Sequence, residues 1–90
     1  MLKTLENLIS TIRQKKTSPD EKSYTSKLLR DKNLSVEKVK EEVAELIEAV
    51  ENNSNTVHEA ADVLYHLLVY LEGNGVRIED IMLELDKRRK

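Results

Sequence analysis

Two short acidic clusters carry the residues best placed to do chemistry together: Glu41-Glu42-x-x-Glu45 and Glu59-x-x-Asp62. Both sit in helical apolar patterns between Lys38 and Leu71. A helix puts residues three and four apart on one face, so Glu41 and Glu42 each neighbour Glu45, and Glu59 neighbours Asp62. Like charges at this spacing cost about 0.2–0.5 kcal/mol per exposed pair, and a helix selected for stability alone would alternate its signs. Two such clusters on consecutive helices point to a shared divalent cation, and an all-oxygen ligand set suits Mg²⁺. Two ordinary explanations stand beside this one. Acidic clusters commonly form a solvated helix face. Thr56-x-x-Glu59 also fits a capping box, which would give Glu59 a purely local role.

The elements that must position these groups read as about five helices. The first runs from Leu2 to about Lys15, with an apolar stripe at positions 2, 5, 8, 9 and 12 and a stop at Thr17-Ser18-Pro19-Asp20. Ser23 can cap a short second helix from Tyr24 to Asp31. That helix start offers hydroxyls at Ser23, Tyr24 and Thr25, backbone N–H groups and the Lys27 cation. Such a set could cradle a phosphate or could be an ordinary capped surface helix. Asn33-Leu34-Ser35 reads as a break, with Ser35 capping a third helix whose stripe is Val36, Val39, Val43, Leu46, Ile47 and Val50. The polar turn 52–55 leads to a fourth helix over about Val57–Glu72, apolar around much of its circumference, which fits a central helix covered on more than one side, in part by a partner subunit. Carboxylates on so apolar a helix need a cation or a basic partner. His66 shares their stripe and reads either as a ligand or as a hydrogen-bonded core histidine, and His58 as an exposed one. Gly73-Asn74-Gly75 ends this helix, and a last one runs over Ile78–Arg88 into Lys87-Arg88-Arg89-Lys90. Those terminal cations suit a helix C-terminus and could equally reach bound phosphate.

Bulk composition agrees. Ninety residues make one domain, 1–90, and a core of that size invites self-association. With 39% hydrophobic and 36% charged residues, three Tyr, no Phe or Trp, two Gly and one Pro, an all-α bundle built on Leu, Ile, Val and Ala is favoured. Cysteine is absent, so disulfide and thiolate chemistry are excluded. No apolar run spans a bilayer and no secretory pattern is present, which makes a cytoplasmic location the expectation. The net charge of −2 speaks against non-specific nucleic-acid binding. No P-loop, dinucleotide fingerprint or nucleophile–base pair is found.

Three stretches in this order carry a family resemblance: Ser23-Tyr24-Thr25-x-Lys27-Leu28-Leu29, then Lys38-Val39-x-Glu41-Glu42-x-x-Glu45, then Glu59-Ala60-Ala61-Asp62-Val63-Leu64-Tyr65-His66-Leu67-Leu68-Val69. With Gly75-Val76-x-x-Glu79-Asp80 and Arg88-Arg89, they make the chain resemble phosphoribosyl-ATP pyrophosphohydrolase over nearly its whole length. The acidic pattern alone resembles the wider MazG-like superfamily of all-α nucleotide pyrophosphohydrolases. The resemblance implies Mg²⁺-dependent hydrolysis of phosphoribosyl-ATP to phosphoribosyl-AMP and pyrophosphate, the second step of histidine biosynthesis. It implies metal ligands at Glu42, Glu45, Glu59 and Asp62, catalytic roles for Glu41, Glu42 and Glu45, and substrate contacts at Ser23, Tyr24, Thr25, Lys27, Lys38, Arg88 and Arg89. It also implies a homodimer with the site in a cleft between helices, and a functional link to a phosphoribosyl-AMP cyclohydrolase. Lys40 stands where the family usually has a small residue and Glu48 where it usually has an apolar one. A housecleaning nucleoside triphosphate pyrophosphohydrolase is the alternative within the superfamily, and a non-catalytic helical dimerisation module the alternative outside it.

Overall fold

A computed structural model describes residues 2–89. Five helices follow one another: α1 Lys3–Thr17, α2 Tyr24–Arg30, α3 Lys32–Asn52, α4 Thr56–Gly73 and α5 Ile78–Arg88, with no strand among the described residues. None of these helices is long and apolar enough to cross a membrane.

The start and end of α5 lie where the sequence puts them, and Ser23 caps α2 as its type predicts: its hydroxyl accepts from the Ser26 N–H at 3.2 Å. Three helix starts differ from the sequence reading, that of α1 only by one residue, at Lys3 instead of Leu2. α3 begins at Lys32 rather than after Ser35, because Asp31 supplies the cap, its carboxylate accepting from the Leu34 N–H at 3.0 Å. Leu34 then packs onto the core, and Ser35 lies buried inside the helix. α4 begins at Thr56, with Asn55 ahead of it in a left-handed conformation (φ 52°) and no side-chain cap. The capping box therefore does not form. The Thr56 hydroxyl turns back to the Ala49 carbonyl at 3.4 Å, and Glu59 is released from its local role. Asn53 is also left-handed, so two asparagines, a residue type that tolerates positive φ, close the α3–α4 hairpin.

The core is Ile9 and Ile12 of α1, Leu28 of α2, and Leu68 and Val69 of α4, with Leu5, Leu8, Leu29, Leu34, Tyr65 and Ile78 packed around them. It lies on the C-terminal half of α4. The N-terminal half of α4 packs instead along α3 and carries the carboxylates. Packing is close at the core end, where a Cβ on Gly73 would lie 3.1 Å from Leu29 Cδ2.

Arg13 ties that end together. Its guanidinium donates to both carboxylate oxygens of Glu72, at 2.9 and 2.8 Å, and to both of Glu79. Glu72 is 4% exposed and also accepts from the Ile78 N–H at 3.2 Å, which anchors the first turn of α5. The guanidinium holds Glu72 below the usual carboxylate range and pulls Glu79 down to about 2.

Several apolar side chains stay uncovered. Val43, Ile47 and Val50 of α3 and Val57, Leu64 and Leu67 of α4 are exposed, as are Met82, Leu83 and Leu85 of α5, which buries no residue. The radius of gyration is 14.1 Å, against roughly 12 Å for a compact chain of this length.

Candidate functional site

Glu41, Glu42 and Glu45 share a face of α3, and Glu59 and Asp62 project from the first half of α4. Helix periodicity places each group on its helix; the α3–α4 hairpin brings the groups together. Glu45 stands within hydrogen-bonding reach of Glu42 on its own helix and of Glu59 across the interface. Glu42 is buried, and burial, followed by the charges of Glu45 and Asp62, pushes its carboxyl up to about 7. Burial and Glu45 also raise Glu59. Each helix supplies three ligand atoms within 4.8 Å of one another: Glu41, Glu42 and Glu45 on α3, and His58, Glu59 and Asp62 on α4.

Acidic groups often cluster with no cation, so an independent sign of one matters here. Oε2 of Glu42 and Oε2 of Glu59 are both buried with no hydrogen-bond partner. An ionised carboxylate only accepts hydrogen bonds. Leaving such an oxygen dry and unmet costs several kcal/mol unless it protonates or meets a cation. No Arg or Lys answers Glu42 or Glu59 among the described ion pairs; Lys38 turns to Glu41, at 3.3 Å. The donor set is hard oxygen throughout, apart from one imidazole, and it fits Mg²⁺.

The remaining candidates divide. Tyr24 stacks on Tyr65, with ring centroids 6.3 Å apart and an interplanar angle of 17°. It also feels the charges of Lys38, Glu42 and Glu41, which places it beside the acidic cluster with 44% of its surface exposed. The Thr25 hydroxyl bonds to the Tyr65 hydroxyl, and the Ser23 hydroxyl is taken by the cap, so both serve the fold as well as any ligand. Lys27 is exposed on α2. Arg88 and Arg89 pair within their own chain end, with Glu84 at 3.1 Å and Asp86 at 3.4 Å.

His66 is buried edge-on against the rings of Tyr24 and Tyr65, and its Nδ1 has no hydrogen-bond partner. Burial lowers its pKa and keeps it neutral. The imidazole that joins the acidic groups is His58, with Nε2 at 3.4 Å from Asp62 and 4.0 Å from Glu59. Sequence reasoning passed over it as an exposed first-turn residue, although its four-residue spacing from Asp62 was the available signal. Tyr65 was missed too, since nothing local marks it as the partner of Tyr24 and Thr25.

Carboxylates converging from two antiparallel helices of an all-α bundle, with hydroxyls, an aromatic ring and a lysine at the edge, define the MazG-like class of nucleotide pyrophosphohydrolases. The narrower assignment comes from comparison. The family description "Phosphoribosyl-ATP pyrophosphohydrolase" matches residues 5–89, and the chain belongs to that family. It is 42% identical over 94 residues to a phosphoribosyl-ATP pyrophosphatase of Methanoregula boonei, covering 99% of this chain and 90% of the relative. It is also 42% identical over 88 residues to one of Methylobacterium nodulans, covering 94% and 82%. A histidine biosynthesis bifunctional protein of Pyrococcus furiosus is 40% identical over 90 residues; the match covers 99% of this chain and 43% of that longer protein.

Proposed function

We propose that the chain hydrolyses phosphoribosyl-ATP between its α and β phosphates, releasing phosphoribosyl-AMP and pyrophosphate, as a Mg²⁺-dependent cytoplasmic enzyme of histidine biosynthesis. The observation that carries this reading is the pair of buried, unpartnered carboxylate oxygens on Glu42 and Glu59, in a chain of this family.

Glu42, Glu45, Glu59 and Asp62 would hold the cation. When bound, Mg²⁺ supplies positive charge against the polyphosphate oxygens and makes nearby water more acidic. The chain's own groups do the rest. Water attacks phosphorus in line, the anhydride P–O bond breaks, and pyrophosphate leaves with the electron pair. Glu41, at the open edge of the cluster, accepts the water proton on its carboxylate. Lys38 stays close to Glu41 and offers its ammonium to a phosphate oxygen. The exposed ring of Tyr24, backed by Tyr65, offers a stacking face for the base. The chain needs no covalent nucleophile, in keeping with the absence of Cys.

The acting unit is a homodimer. The exposed stripes Val43-Ile47-Val50 and Val57-Leu64-Leu67 support this, since a monomer seldom leaves so long an apolar face in water. The next step consumes phosphoribosyl-AMP, and we take the chain to be functionally linked to the cyclohydrolase that does so; the longer bifunctional histidine-biosynthesis relative of Pyrococcus furiosus supports a link between two activities.

Pyrophosphate release from phosphoribosyl-ATP, compared with a panel of ordinary and damaged nucleoside triphosphates, tests the assignment. A strong preference for phosphoribosyl-ATP is expected. A preference for a plain triphosphate would replace the substrate with that of a housecleaning enzyme, and no product from any nucleotide would leave only a dimerisation module.

A further inference from the structure

A second hollow lies away from the carboxylates. It sits where the ends of α1 and α2 meet the end of α4, has a volume of about 180 Å³, and is lined by Lys15, Lys16, Arg30, Ser26 and Gly73 among others. Gly73 lies about 16 Å further along α4 than Asp62, at 1.5 Å rise per residue. No carboxylate lines it.

Each cation has an ordinary explanation, because Lys15 and Lys16 fall in the last turn of α1 and Arg30 in that of α2, where positive charge suits the helix dipole. That explanation does not require two helices to deliver their cations to one cavity. Part of the charge is already answered. Lys15 pairs with Asp20 at 3.4 Å, and Lys16 donates to the Glu72 carbonyl at 2.6 Å. Part is not. Arg30 makes none of the described hydrogen bonds or ion pairs, and an ammonium has three protons to give, of which Lys16 uses one. Ser26 is 1% exposed; its oxygen accepts from the Asp20 N–H at 3.0 Å, and its own O–H has no acceptor among the described hydrogen bonds. A buried hydroxyl proton at the wall of a cavity ringed by three cations asks for an anionic acceptor.

We propose that this hollow is a binding site for a phosphate monoester dianion, held by Lys15, Lys16, Arg30 and the Ser26 hydroxyl. Two sources carry that chemistry. One is the 5′-phosphate at the far end of phosphoribosyl-ATP, remote from the triphosphate; this source rests on the proposed activity. The other is a free phosphate or small phosphomonoester acting as an effector.

The test uses the whole chain, isotopically labelled, in EDTA so that no cation recruits phosphate to the carboxylates. Inorganic phosphate is titrated against chloride at matched ionic strength, and amide shifts are followed. Saturating shifts at Ser26, Arg30 and Gly73 are expected in the native chain, with affinity falling at least about tenfold in the Lys15→Gln/Arg30→Ala double variant, since the loss of a single one of its two charge-assisted contacts is enough for that. Arg30→Ala alone, at an exposed and unpaired position, serves if the double variant loses its fold. Shifts that never saturate, or that are the same in variant and native chain, would overturn the site. Kinetics then separate the sources. A KM for phosphoribosyl-ATP raised about tenfold with kcat unchanged identifies the substrate's distal phosphate. An unchanged KM with phosphate binding lost identifies a free effector. An inactive native chain would sink the proposed activity while leaving the phosphate titration to decide the site.

Discussion

The two ends of α4 treat the same residue type in opposite ways. At the C-terminal end, Glu72 is buried and fully answered: Arg13 grips both of its oxygens, and the Ile78 N–H adds a third bond. Its pKa falls, and that of its neighbour Glu79 falls to about 2. At the N-terminal end, buried Glu42 and half-buried Glu59 each keep one carboxylate oxygen out of water with no hydrogen-bond partner, and their pKa values rise, that of Glu42 to about 7. One end spends its carboxylate on holding three helices together. The other bears a cost that the chain alone does not recover. Folding accounts for the first, and a ligand is the economical account of the second.

Substitutions should therefore act in opposite senses. Glu42→Gln and Asp62→Asn are expected to lower kcat by at least on the order of 10²–10³-fold, with helical circular dichroism kept. Full activity in either would refute the metal assignment. In EDTA, Glu42→Gln should leave the melting temperature unchanged or raise it, because it removes a buried like charge. Arg13→Ala should do the reverse. It leaves Glu72 buried without its cation, at a cost of about 2 kcal/mol once the partly exposed guanidinium is allowed for, while kcat is retained. Denaturant melts of both variants, beside their kinetics, would break the comparison if the two effects ran the same way.

Acidity separates the ends again, with a smaller effect. Glu42 keeps its proton to about pH 7 when folded but loses it near 4.5 when unfolded. Between these values the folded chain holds more protons, so in EDTA this group should lower stability as pH rises from 4.5 to 7. Saturating Mg²⁺ should flatten or reverse that slope. Glu79 runs the other way. Its contribution is present above its ordinary 4.5 and is lost as pH falls towards 2. Stability measured across both windows, with and without Mg²⁺, checks the two signs.

The smallest effect on the site concerns the apolar face. Ile47 is 56% exposed, so Ile47→Glu should leave the chain folded but convert a dimer to a monomer in sedimentation. A native chain that already sediments as a monomer would remove the dimer.

Much of the fold was legible because it rests on local signals. The three-four apolar spacing, the Ser23 cap, the Gly73–Gly75 stop and the α5 stripe are all readable within one or two turns. The start of α3 was misread because Asp31, placed at the end of α2, instead supplies the cap four residues before Ser35, and Leu34 then packs onto the core. The Thr56–Glu59 box failed because Asn55 takes the left-handed turn and pulls Thr56 into the helix. The acidic groups of each helix were legible as neighbours, but spacing alone could not set one helix face against the other. The Arg13 contacts with Glu72 and Glu79, 59 and 66 residues apart, leave no local trace at all. The uncovered stripe on α3 reads like a core stripe in sequence, and only packing tells which apolar faces the chain itself buries.

The central claim is that side chains of α3 and α4 hold one divalent ion between them. Substoichiometric Mn²⁺ added to the labelled, metal-free chain tests it most directly, through paramagnetic broadening of nearby amide signals. The account predicts that Glu42 and Glu45 on α3 and Glu59 and Asp62 on α4 broaden together and recover on adding excess Mg²⁺. Broadening confined to one helix, or spread evenly over every exposed acidic residue, would contradict it.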